Sequence, residues 1–121
     1  SDWSSDVCSS DLAARKNVAP YRLLGTSQVP VHTLADILAR HLPPGQAIDF
    51  LSIDAEGLDH DIVASNDWAK FRPRWVLVEL LQTPLAGVAD HPTARLLQAA
   101  GYAPCAKTLN TVFFQDLRVP A

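Results

Sequence analysis

The sequence predicts an α/β domain, and three observations carry that prediction. Two apolar runs of strand length, "IDFLSI" at 48–53 and "RWVLVEL" at 74–80, each end in or beside carboxylates. Segments with helical spacing of apolar residues alternate with them. A last pair of short runs, "YAPCAK" and "TVFFQD", brackets the turn "TLN" as a hairpin would. Helix, strand, helix, strand, helix, hairpin is the order of a layered α/β fold.

Each element has its own signals. Residues 13–32 are mixed, and a short strand is expected near Val29 to His32, although Pro20 and Pro30 oppose it. Thr33 suits a helix N-cap, with Asp36 three residues on as an approximate capping box. Leu34, Ile37, Leu38 and Leu42 then share one helical face until Pro43, Pro44 and Gly45 end it. Ile48 to Ile53 is interrupted only by Asp49 and Ser52, which suits a parallel strand covered on both faces. Gly57 to about Ser65 follows as a helix with Leu58, Ile62 and Val63 inward. The second buried strand holds Glu79 near its C-terminal end. After a loop, "QTPLAGVAD", Asp90 is expected to cap a helix running through Pro92, Leu96, Leu97 and Ala100, with Gly101 as its stop.

In open sheets of this class, ligands bind beyond the carboxyl ends of the parallel strands. Asp54, Glu56 and Glu79 all fall at those ends, so the apolar strands fix position and the acids emerge at a wet edge.

Composition narrows the partners. The chain has 121 residues, 48% hydrophobic and 19% charged, enough for one ordinary core. It has no apolar run near the ~18–20 residues that span a bilayer and no basic-then-apolar leader, so the expected location is cytoplasmic, away from any membrane. Residues 1–12, "SDWSSDVCSSDL", stand apart: five are Ser and no periodicity is present. Asp2 to Leu12 resembles the in-frame translation of a common sequencing adapter, and residues 1–12 are expected to be a non-native, disordered tail. Setting them aside removes Asp2, Asp6 and Asp11 and leaves equal numbers of acids and bases. That balance argues against a nucleic-acid partner. It also leaves Cys105 without Cys8, so neither a disulfide nor a cysteine-based metal site is supported. His32, His41 and His91 lack metal-ligand spacing, so no metal is expected. Trp68 and Trp75 are expected to be packing aromatics.

Four ordered blocks carry a resemblance: "IDFLSIDAEGLDHDIV", "SNDW", "RPRWVLVEL" and "AAGYAPCAKTLNTVFF". Together, over residues 31–116, they are similar to the C-terminal half of the FkbM family of S-adenosylmethionine-dependent methyltransferases. Ser52 stands where that family often has Lys, and Ala55 where it commonly has Val; the carboxylates match. The resemblance implies a Rossmann-like class I methyltransferase sheet of order 3-2-1-4-5-7-6. Residues 48–53 would be strand 4, residues 74–80 strand 5, and the hairpin strand 6 and the antiparallel strand 7. Residues 13–121 would then be the C-terminal half of the domain. The main cofactor-binding half, with strands 1 to 3, would be missing, and the five glycines, Gly25, Gly45, Gly57, Gly87 and Gly101, form no glycine-rich turn. The cofactor-binding residues are unassigned.

The reaction so implied is methyl transfer from S-adenosylmethionine to a hydroxyl of a sugar or other small molecule. It requires in-line alignment and a group to take the hydroxyl proton. Asp54 is the first candidate for that base, or for an orienting acceptor, and Glu56 is the second. Either could instead cap the helix starting near Gly57. His60 could face the acceptor or be an exposed helical His. Glu79 could line the cleft or pair with Arg74. Asn110 could contact substrate or simply form its turn. The other function class compatible with the sequence is a non-catalytic α/β binding domain. Without strands 1 to 3, residues 48–53 would form an exposed apolar edge, giving a poorly soluble chain, inactive alone and without useful cofactor affinity.

Overall fold

A computed structural model of the chain describes residues 22–118; the proposed tail at 1–12 lies outside them. The chain divides into residues 1–33 and residues 34–121. Residues 22–33 form neither helix nor strand, so the strand expected near Val29 to His32 is absent. Pro30 removes a ladder donor in the middle of that short run, and among the described residues no strand pairs with it.

In the second unit, helix α1 spans Leu34–His41, strand β1 Phe50–Ile53, helix α2 Asp59–Ala64 and strand β2 Trp75–Glu79. A 3-10 helix at Leu85–Asp90, helix α3 at Pro92–Ala99, and strands β3 (Tyr102–Lys107) and β4 (Thr111–Asp116) complete it. The sheet order is β1-β2-β4-β3. β1 runs parallel to β2, while β4 is antiparallel to both of its neighbours, as the hairpin pattern requires. This mixed α/β sheet is compatible with a methyltransferase-like fold. Among the described residues no helix is long and apolar enough to cross a membrane.

One face of the sheet is closed. Ile53, Val76, Val78, Val112 and Phe114 point to a core shared with Val63 of α2, Ala94 and Leu97 of α3, Trp68 and Tyr102. A fully buried Val, Leu or Phe contributes roughly 1.5–3 kcal/mol, so this face supplies most of the stability. The opposite face is not closed, against the expectation for residues 48–53: Phe50 is 62% exposed and Ser52 is exposed. No described helix covers that side, and α1 buries no residue despite its apolar stripe. β1 is an edge strand, with its outer ladder positions unpaired among the described residues.

The end of the sheet where β4 finishes is locked by polar groups. Asp116, 1% exposed, accepts from Arg72 Nη2 at 2.6 Å, Arg72 Nε at 3.0 Å and the Arg118 backbone N–H at 3.0 Å. Arg72 Nη1 also donates to the carbonyls of Trp68 and Ala100, at 2.7 and 2.8 Å. The guanidinium lies 4.9 Å from the centre of the Tyr102 ring, whose hydroxyl donates to Pro73 O at 2.7 Å. Trp68 meets Tyr102 edge-on, with centroids 5.4 Å apart. Gly101, at φ +93°, fits beneath this cluster because any Cβ there would lie 3.0 Å from Arg118 Nε.

Three sequence expectations shift in detail. The segment Leu85–Asp90, expected as loop, makes a 3-10 helix. Helix α2 starts at Asp59, two residues later than expected, because Glu56 and Gly57 are taken up in a turn. The cap of α3 is His91 rather than Asp90: its Nδ1 accepts from the Thr93 N–H at 3.2 Å. Asp90 ends the 3-10 helix, and makes an exposed 3.5 Å contact with Arg95.

Candidate functional site

The site starts where β1 ends. Leu58 N–H donates to Ala55 O at 3.3 Å, and Glu56 and Gly57 between them have φ of +52° and +104°. Two successive positive φ values are the pattern of a type I′ turn. Gly57 satisfies it freely, and the space around its Cα is open, so the requirement is conformational rather than steric. Glu56 sits there against the usual preference of an L-residue. The turn is held by Asp59, the first residue of α2 and only 7% exposed. Its Oδ1 accepts from Ala55 N–H at 3.1 Å and its Oδ2 from Gly57 N–H at 3.2 Å. A carboxylate at a helix N-terminus is also favoured by the helix dipole. So the acid that anchors this turn is Asp59, while Leu58 occupies the cap position of α2 without a side-chain cap.

Acids meet at the carboxyl ends of β1 and β2, where Asp54 follows β1 and Glu79 ends β2. Glu79 has its pKa raised, first by partial removal from water, then by the charge of Asp54 and a hydrogen bond with it, and then by Asp59 and Glu56. Glu79 lines a cleft of about 200 Å³ with Gly57, Asp59, His60, His91 and Thr93. His60 Nδ1 lies 3.0 Å from the Thr93 hydroxyl, which is itself buried. His91 has its pKa lowered, by burial first and by His60 second.

Against known proteins, the family model described as the methyltransferase FkbM domain matches residues 2–104. The chain belongs to the FkbM methyltransferase family. No curated protein and no solved structure matches it.

The match takes in both carboxyl ends, the turn and the cleft of this FkbM domain, and stops inside β3. Of the residues singled out from sequence, the fold brings Asp54 and Glu79 together and sets His60 in the same cleft as Glu79. Glu56 occupies the turn beside them. The alternative for Glu79, an ion pair with Arg74, is not formed, since Arg74 precedes β2 at its other end and the charges acting on Glu79 are acids. His60 is exposed, but one ring nitrogen is engaged. Asn110 stays in the hairpin turn, where its carbonyl accepts from Leu80 N–H at 2.7 Å and extends the β2–β4 ladder. It does not line the cleft.

Three residues of the site escaped sequence reasoning: Asp59, His91 and Thr93. Asp59 had a usable signal, an acid two positions beyond a turn glycine and able to fold back on the turn's N–H groups. His91 and Thr93 had none, because they reach the cleft only when α3 packs beside α2. Among the described residues no group of three or more His, Cys, Asp or Glu is arranged to hold a metal ion.

Proposed function

We propose that this FkbM domain forms the acceptor side of an S-adenosylmethionine-dependent O-methyltransferase whose substrate is a sugar or another hydroxylated small molecule. The observation that carries the reading is the approach of Asp54 to Glu79 at the carboxyl ends of two parallel strands, with His60 in the cleft that Glu79 lines. A hydroxyl approaching this edge meets a carboxylate suited to taking its proton. Asp54 is that base, and Glu79 is the carboxyl group held beside it. Glu56 is the second carboxylate of the edge, oriented by its turn. Asp59 holds the turn, His60 borders the acceptor, and Asn110 fixes the neighbouring hairpin. Family membership supplies the methyl-transfer chemistry.

The cleft beside Glu79 does not fit the whole cofactor. A cleft of about 200 Å³ is smaller than the ~300–1,000 Å³ of ordinary small-molecule sites, and no described turn is glycine-rich. On this reading β1, β2, β4 and β3 are strands 4, 5, 7 and 6 of the larger sheet. Residues 1–12 are adapter-derived, and the cofactor's wall belongs to strands 1 to 3 of the complete enzyme.

The test is methyl transfer by the complete reading frame, followed with isotopically labelled S-adenosylmethionine. Asp54→Asn is expected to lower kcat about 10²–10⁴-fold with an unchanged melting profile. Undiminished turnover in that variant would remove Asp54 from the mechanism.

A further inference from the structure

His91 has one ring nitrogen already committed. The Thr93 backbone N–H can only donate, and it donates to His91 Nδ1 at 3.2 Å. The Nδ1 atom is therefore the unprotonated one, and the ring's single N–H is at Nε2. Two further conditions oppose a second proton. His91 is partly buried and sits at the N-terminus of α3, where the helix dipole disfavours a cation. A cationic His91 would also surrender the cap. The groups around it are mixed: Glu79 and Asp59 line the same cleft, His60 reaches over from α2, and Asp90 precedes it in an exposed position. Imidazole geometry puts Nε2–H on the part of the ring remote from the Nδ1 contact with Thr93, in a residue that lines the cleft.

We propose that His91 is an acceptor-binding residue, presenting a neutral Nε2–H donor that holds an oxygen of the acceptor molecule in the cleft that Glu79 also lines. The inference rests on the hydroxyl-acceptor reading above and deepens it. Every carboxylate of the edge accepts hydrogen bonds, so a polyhydroxylated molecule bound only by them could rotate its hydroxyls freely among them. A fixed donor in the same cleft sets the molecule's orientation and selects which hydroxyl meets Asp54. Thr93 serves both imidazoles: its N–H fixes His91 and its hydroxyl engages His60 at 3.0 Å.

The tautomer is read directly from long-range proton–nitrogen NMR correlations of the ¹⁵N-labelled chain. His91 is expected as the Nε2–H form at neutral pH, and an Nδ1–H or cationic ring there overturns the proposal. Binding is read by titrating the same sample with a panel of methyl hexosides, which should shift the His91 Nε2 resonance. His91→Asn keeps a capping oxygen for Thr93 N–H but lacks the distal donor, and is expected to weaken hexoside binding about tenfold with α3 intact. His91→Gln can place an amide N–H near the lost position and should recover most of that affinity. Equal affinity in His91→Asn and the unchanged chain overturns the proposal, as does no binding by the unchanged chain. Binding that follows this pattern without methyl transfer by the complete enzyme would uphold the site for hydroxylated ligands and refute the methyl-transfer reading alone.

Discussion

The two ends of the sheet handle carboxylates in opposite ways. Where β4 finishes, Asp116 is buried but receives three hydrogen bonds, two of them from Arg72, and its pKa is lowered. Burial alone would push it up; the hydrogen bonds and charges of Arg72 and Arg118 outweigh that. Where β1 and β2 finish, Glu79 is raised, first by partial removal from water and then by Asp54, Asp59 and Glu56. One end is arranged so that its charges stabilise the fold. The other sets its neighbouring acids against the ionised form of Glu79, which the core tolerates and chemistry can use.

The largest expected break in this comparison is Arg72→Ala. It leaves Asp116 buried without its partner and removes the donor to Trp68 O and Ala100 O, a loss of ~3–5 kcal/mol by denaturant unfolding. A loss below about 1 kcal/mol would mean the clamp acts like a surface pair. Tyr102→Phe is next, since it leaves Pro73 O without its 2.7 Å donor. About 1 kcal/mol is expected, with the Tyr102 ring packing retained.

The pH dependence should separate the two ends. Asp116 is depressed below 3.8, so its contribution is complete above that value and is lost as pH falls through its lower folded-state pKa. Glu79 is raised above 4.5, so its ionised form is disfavoured by folding, and the penalty is present above the raised pKa and fades as pH falls toward 4.5. Glu79→Gln should therefore be more stable than the unchanged chain at neutral pH, with the advantage shrinking on acidification. An advantage that is constant with pH would sink the electrostatic account. His91 is lowered from 6.5, so its neutral cap is secure above that value and stability is lost as pH falls through the depressed pKa. The smallest effect belongs to Arg95→Ala, whose partner contact with Asp90 is 3.5 Å long and largely exposed. A change within about 0.5 kcal/mol is expected, which shows that burial rather than pairing makes Arg72 matter.

The element order, the hairpin and the wet edge of acids were legible in the sequence because they follow from local periodicity and from where apolar runs stop. Asp54, Glu79 and His60 could be placed near one another on that basis. Less legible was anything decided by packing between elements. The exposure of Phe50 depends on which layers cover β1, and the cleft role of His91 depends on α3 lying beside α2. The 3-10 helix at Leu85–Asp90 carries a glycine and a preceding proline, which read locally as loop.

Glu56 and its left-handed backbone bear on how this protein would change under selection. A residue such as Asn tolerates that conformation better, so Glu56→Asn relieves ~1 kcal/mol of conformational cost in a single substitution. A population screened for heat resistance alone would drift toward such replacements and lose a carboxylate from the edge. Screened for turnover, the same position would stay acidic. Opposite drifts at one codon under two selections would make residue 56 a recorder of which property the lineage had been asked to keep.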